Sequence, residues 1–154
     1  IDGVVKALHT SGLKAESLKL EITENVLISN YAAANEVFTK LRNLGVRLEI
    51  DDFGSGYSAL GYLQHFPISA IKIDKSFIDE IGKSRRGIEL IRAIVSMARE
   101  LGMEAIAEGI ETNEQLDQLK ELSCPLGQGF LLSKPLDKQA AERVLEEYKS
   151  TSVE

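Results

Sequence analysis

Apolar residues along this chain change their period repeatedly, from short extended runs to stretches with helical spacing. Val4, Val5, Ala7 and Leu8 share one face of a short helix that Ser11-Gly12 closes. Strict alternation in Leu18-Lys19-Leu20-Glu21-Ile22-Thr23 predicts a strand, with Leu18, Leu20 and Ile22 on one face and Lys19, Glu21 and Thr23 on the other. The spacing predicts an amphipathic helix over 31–44, stopped by Gly45, and a second strand over 46–51. That strand runs into a glycine-rich loop, Asp52-Phe53-Gly54-Ser55-Gly56, ahead of a short helix around 58–65. A third strand is expected over 71–74, a strongly patterned helix over 88–101 ending at Gly102, and a fourth strand over 103–107. Asn113 is expected to cap a helix over 113–122, and Gly129-Phe130-Leu131-Leu132 to form a fifth strand. Asp137 opens a last helix to about residue 149, and 150–154 read as a frayed tail.

Strands alternating with helices at repeats of roughly 25–35 residues predict an α/β fold with about five parallel strands built from βαβ units. An open doubly wound sheet and an arc of a (β/α)8 barrel both accommodate this. Glu21, Asp51, Lys72 and Glu108 fall within or just after the carboxyl ends of predicted strands, and in a barrel that end is where functional groups from different strands converge. An incomplete TIM-like (β/α)8 barrel is therefore the expected fold. About 250 residues is typical of a whole barrel, and this chain has 154.

Composition narrows the function classes. A net charge of −6 argues against a nucleic-acid binder, which normally shows a basic face. No run approaches the roughly 20 apolar residues of a membrane span, and no signal peptide opens the chain. The lone Cys124 cannot form an internal disulfide, which makes a reducing cytoplasm the expected setting and a small core residue its expected role. His9 and His65 have no acid–base partner at a recognisable spacing, and Lys83-Ser84-Arg85-Arg86 reads as a solvated basic turn.

The strand ends supply Glu21, Asp51, Asp52, Lys72, Glu108 and Gln128. Carboxylates converging without compensation raise one another's pKa values, so such a cluster is natural where hard divalent cations bind. Oxygen donors without a Cys/His pattern suit Mg²⁺ or Mn²⁺ rather than zinc. Two such ions about 3.5–4 Å apart would stabilise the attacking and leaving oxygens of a phosphoryl displacement. Lys72 would hold a water or a phosphate oxygen. Solvated loop carboxylates are the competing reading for each acid taken singly, least so for the adjacent pair Asp51-Asp52.

Five strings then occur in order: Leu20-Glu21-Ile22-Thr23-Glu24; Asp51-Asp52-Phe53-Gly54-Ser55-Gly56-Tyr57-Ser58; Ile71-Lys72-Ile73-Asp74-Lys75-Ser76-Phe77; Ala107-Glu108-Gly109-Ile110-Glu111-Thr112; and Gln128-Gly129-Phe130 before Lys134-Pro135-Leu136. From about residue 13 to about residue 136 the chain resembles the bacterial EAL-domain cyclic di-GMP phosphodiesterases. The resemblance implies hydrolysis of one 3′–5′ phosphodiester of cyclic di-GMP to linear pGpG. It implies Glu21, Asp51 and Asp52 as metal ligands and Lys72 as the lysine on the catalytic water. Glu108 matches a glutamate assigned to metal coordination or to general-base work, and Gln128 a glutamine that orients the water. Glu24 and Glu111 match residues that support the loops, and Phe53, Gly54, Ser55 and Gly56 belong to a loop coupling metal, substrate and dimerisation. Ser55 stands where the family usually has threonine.

The Glu-Ala-Leu string that names the family does not occur in the 154 residues, nor does the following strand with its asparagine. Together with the missing initiator Met, this leads us to expect residues 1–149 to be the carboxyl-terminal part of an EAL domain, with little or no activity alone. The alternative is a catalytically incompetent module that binds cyclic di-GMP or regulates through contacts. Open edges at the first and fifth strands predict a homo-oligomer. The resemblance also implies an upstream sensor or cyclase-like domain, whose missing segments could anchor the parent to a membrane.

Overall fold

The computed structural model describes residues 1–24, 26, 31–54 and 60–151. Its elements in chain order are α1 (Asp2–Ser11), β1 (Lys19–Thr23), α2 (Tyr31–Asn43), β2 (Arg47–Phe53), α3 (Leu60–Leu63), β3 (Ala70–Ile73), α4 (Lys75–Ile78), α5 (Arg85–Glu100), β4 (Glu104–Glu108), α6 (Asn113–Glu121), β5 (Leu126–Gln128) and α7 (Lys138–Thr151). Ala15–Ser17 forms a 3₁₀ turn between α1 and β1.

The five strands are parallel, in the sequential order β1-β2-β3-β4-β5. A doubly wound sheet reverses its strand order at a switch point. Sequential order without reversal is the arrangement of a barrel arc. One sheet face is apolar and packs under helices: Leu48, Ile50, Ile71 and Ile73 are fully buried, as is Ile91 of α5. α5 lies on β3 and β4, and α2 lies on β2. Period-2 alternation then turns Lys19, Glu21, Glu49, Asp51, Lys72 and Glu108 to the opposite face. Among the described residues, no helix is long and apolar enough to cross a membrane.

Besides shifts of one to three residues at other element ends, four features differ from the sequence reading. β2 continues through Asp52 and Phe53 instead of ending at Asp51, and its pairing with β3 shifts between Ile50 and Phe53. The short helix α4 directly after β3 was not anticipated; Asp74 caps it by accepting from the Ser76 amide. Thr112, not Asn113, caps α6, in a reciprocal capping box with Gln115. Finally, β5 is Leu126–Gln128, and Gly129-Phe130-Leu131-Leu132 is not a strand.

The last correction has a packing cause. Gly129 lies against the Ile110 backbone so closely that a Cβ there would stand 2.1 Å from the Ile110 nitrogen. The chain then turns, with Leu132 and Ser133 donating their amides back to the Gly129 carbonyl. The apolar run has the pattern of a strand, yet Phe130 and Leu132 are exposed. The last helix runs to Thr151, and 152–154 lie outside the described residues.

Candidate active site at the carboxyl ends of the strands

Lys72, near the end of β3, is the hub. Its side chain is almost fully buried, and its Nζ lies 2.7 Å from Glu21 Oε1, 2.7 Å from Asp51 Oδ1 and 2.9 Å from Glu108 Oε1. Those three carboxylates come from β1, β2 and β4, so the parallel sheet gathers acids distant in sequence around one ammonium. Burial alone would lower the lysine pKa; hydrogen bonds to Asp51, Glu108 and Glu21 outweigh it and hold the pKa above the ordinary lysine value. Glu108 has its carboxyl pKa raised, first by burial and further by Asp51 and Glu21, against the pull of Lys72.

Gln128 enters through the corrected strand. β4 and β5 pair Glu108 with Gln128, and Gln128 Nε2 donates to Glu108 Oε1 at 2.6 Å. The expected strand over 129–132 would have left Gln128 at the wrong end of it. The observed strand ends on Gln128 and so brings it to the same rim as the acids.

Adjacent acids in a regular strand point to opposite faces. Here the irregularity after Ile50, with Asp52 at φ 51, breaks that alternation. Carboxylate oxygens of Asp51, Asp52 and Glu108 consequently lie within 4.8 Å of one another. The Asp52 carboxyl pKa is raised, chiefly by Asp51, then by burial and by Asp74. An all-oxygen, anionic donor set of this kind fits a hard divalent cation. Glu21 is outside that group and is held by Lys72.

The supporting residues are placed as follows. Glu24 is buried, and its Oε2 accepts from the Gly54 amide at 3.4 Å, steadying the turn after β2. Phe53 is buried, and Gly54 has φ 95. Ser55 and Gly56 lie outside the described residues. Glu111 pairs with Lys75 at 3.1 Å, and Lys75 in turn with Asp79 at 2.8 Å. A cleft of about 390 Å³ opens beside the rim, lined in part by Lys75, Glu111, Gln128, Phe130 and Lys134. Asp74 and Lys75, directly after β3, are not among the expected site residues. Their signal was an acid immediately after a strand, followed by a cation, within the Ile-Lys-Ile-Asp-Lys string.

Strand ends, an acidic rim and a buried lysine define a candidate site of the (β/α)-barrel kind, and comparison with known proteins names the family. The EAL-domain profile matches residues 1–135. The cyclic di-GMP phosphodiesterase NbdA of Pseudomonas aeruginosa is 46% identical over 149 residues, which is 97% of this chain and 19% of NbdA. The EAL domain of Mycobacterium smegmatis DcpA superposes with a TM-score of 0.90 at 36% identity, over 95% of this chain and 66% of that one. Klebsiella pneumoniae BlrP1, in a manganese/cyclic di-GMP complex, superposes at 0.79 with 33% identity, over 84% of this chain and 33% of that one. The chain belongs to the EAL-domain family. It spans about a fifth of the length of NbdA.

Proposed function

We propose that this chain is part of a cyclic di-GMP phosphodiesterase domain, and that the rim around Lys72 is where the phosphodiester is cut. The observation that carries this reading is Lys72 Nζ within 2.9 Å of carboxylates from three different strands. Asp51, Asp52 and Glu108 would hold divalent cations, Mg²⁺ or Mn²⁺, with Glu21 joining them when Lys72 releases it. Cations held there would supply charge to offset the phosphodiester and to make water a better nucleophile.

The chain's own groups do the rest. Lys72 donates a hydrogen bond to the attacking water or a phosphoryl oxygen, and its charge is fixed by the acids around it. Glu108, its Oε1 held by Lys72 and Gln128, would either hold a cation or accept the proton that the water loses. Gln128 orients Glu108, and Glu24 and Glu111 hold the two flanking loops. The cleft beside Gln128 would take part of the dinucleotide.

Turnover by the 154 residues alone is expected to be low, because the sequence carries no Glu-Ala-Leu string to complete the ligand set. Two copies meeting at the edges of β1 and β5 are the proposed assembly, in the cytoplasm. A sensor or cyclase-like module in the same polypeptide is the proposed control, a reading the much greater length of NbdA supports. The test is chromatography of pGpG formed from cyclic di-GMP and Mn²⁺ by the full gene product. Formation that is lost in Glu108→Gln supports the reading. Binding without turnover in the full product, seen by calorimetry, would leave the regulatory alternative in its place.

A further inference from the structure

Beside the Lys72 hub lies a second pair of charges that the proposed reaction does not use. Lys19 Nζ stands 2.7 Å from Glu49 Oε1. Glu49 is buried to 4% exposure, and it precedes Asp51 by two residues on β2, which puts both side chains on one face. Lys19 precedes Glu21 by two on β1 in the same way. Across the two strands Glu21 and Glu49 are direct register partners, and adjacent strands run about 4.8 Å apart.

Two like charges directly opposite on one sheet face destabilise it. Here each carboxylate has a different cation: Glu49 takes Lys19, and Glu21 takes Lys72. The division matters because Lys19 has a second acid within reach on its own strand. Were Glu49 uncharged, Lys19 would be free to turn to Glu21, two residues along the same face of β1, and the hold of Glu21 on Lys72 would loosen.

We propose that Lys19 and Glu49 are positioning residues for the cation site: their ion pair takes the buried charge of Glu49 out of play, keeps Glu21 on Lys72, and thereby sets how strongly Asp51, Asp52 and Glu108 attract a divalent cation. The inference rests on the cation reading above and adds two residues to it. The signs follow from charge. Without the Glu49 carboxylate, Lys19 adds an unbalanced positive charge and neutralises Glu21, so cation affinity falls. Without Lys19, Glu49 adds an unbalanced negative charge, so cation affinity rises. One unit charge within on the order of 10 Å of a divalent ion, partly solvated, changes binding by about three- to tenfold.

The experiment is calorimetric titration of the chain with Mn²⁺, accompanied by thermal melts. Glu49→Gln is expected to weaken Mn²⁺ binding by about threefold or more, and Lys19→Met to tighten it. The double variant is expected close to wild type, and Lys19→Arg to preserve the wild-type affinity. A purely structural pair would lower the melting temperature of both single variants without moving Mn²⁺ affinity in opposite directions. If Lys19→Met does not fold, the comparison of Glu49→Gln with the double variant decides, since deleting Lys19 must then restore the affinity. Shifts of the same sign, or none, in a chain whose wild type binds Mn²⁺ overturn this inference alone. A folded wild-type chain that takes up no Mn²⁺ overturns the cation reading and this inference with it.

Discussion

Gly54 sits against Phe77 so closely that a Cβ on the glycine would stand 2.7 Å from the aromatic ring. This contact ties the turn after β2, two residues beyond Asp52, to α4, which follows Lys72. Gly54 also has φ 95, a conformation that costs other residues about 1–2 kcal/mol. Gly54→Ala is therefore expected to lose at least about 1–2 kcal/mol of stability and to displace Asp52 from the acidic group. Urea melts and Mn²⁺ titration check the two effects. Adding Phe77→Ala opens the space but leaves the backbone strain, so the double variant should regain cation binding in part while staying less stable than the wild type. Equal Mn²⁺ affinity in wild type and Gly54→Ala would rule the coupling out.

Lys72 offers a sharper test, because its loss and cation binding oppose each other. Removing one partner of a buried ion pair costs about 3–5 kcal/mol. Glu21 is half exposed, with 49% of its side chain accessible, so Lys72→Met belongs near the lower end, at about 3 kcal/mol. In the variant, Glu21, Asp51 and Glu108 face one another without a cation. Mn²⁺ should then raise its melting temperature more than it raises that of the wild type, by mass action on a site with more free carboxylate. Thermal melts in chelator and in excess Mn²⁺ decide it, and a larger shift in the wild type would contradict the account.

Much of this was legible in the chain. Alternation in Leu20-Glu21-Ile22 and in Leu48-Glu49-Ile50 fixed both the strands and the side from which the acids project. Gly45 and Gly102 ended their helices with positive φ, as their positions suggested. The sequential strand order was not legible, because pairing depends on contacts between distant segments; strand-end acids only favoured a barrel arc. Gln128 was identified but tied to a misplaced strand. Leu126-Gly127-Gln128 has no apolar alternation, since Gly127 makes room for Ile110, while Phe130-Leu131-Leu132 imitates a strand and forms a turn. The pair Lys19–Glu49 was invisible for a different reason: each residue reads as an ordinary polar position until the register of β1 on β2 sets them on one face.

The α6 cap isolates local from global stability. Thr112 Oγ1 accepts from the Gln115 amide at 3.2 Å, and Gln115 Oε1 accepts from the amides of Thr112 and Glu111 at 3.0 and 2.7 Å. Gln115 Nε2 also donates to the Ile78 carbonyl at 3.3 Å, tying this helix start to α4. Thr112→Ala is expected to cost about 1 kcal/mol, the usual loss of an N-cap. Gln115→Ala should cost more, because it frees two amides and a buried carbonyl at once. Chemical denaturation ranks the two, and the reverse order would mean that the bond to Ile78 contributes little.

Cys124 gives a prediction in pH. Its half-buried Sγ approaches the Leu126 carbonyl at 3.4 Å, and burial pushes the thiol pKa up against weaker backbone hydrogen bonds that lower it. Only the thiolate attacks iodoacetamide, so at about pH 8 the folded chain should be alkylated more slowly than the urea-unfolded chain. The linkage sign follows. A group whose folded pKa lies above its unfolded value stabilises the fold fully below the unfolded pKa, and that contribution is lost as pH rises through the folded one. The urea midpoint should therefore fall between about pH 7 and pH 10 by more in the wild type than in Cys124→Ala, where the titrating group is gone. Parallel midpoints in the two proteins would show that the thiol is not held in its neutral form by the packing at the start of β5.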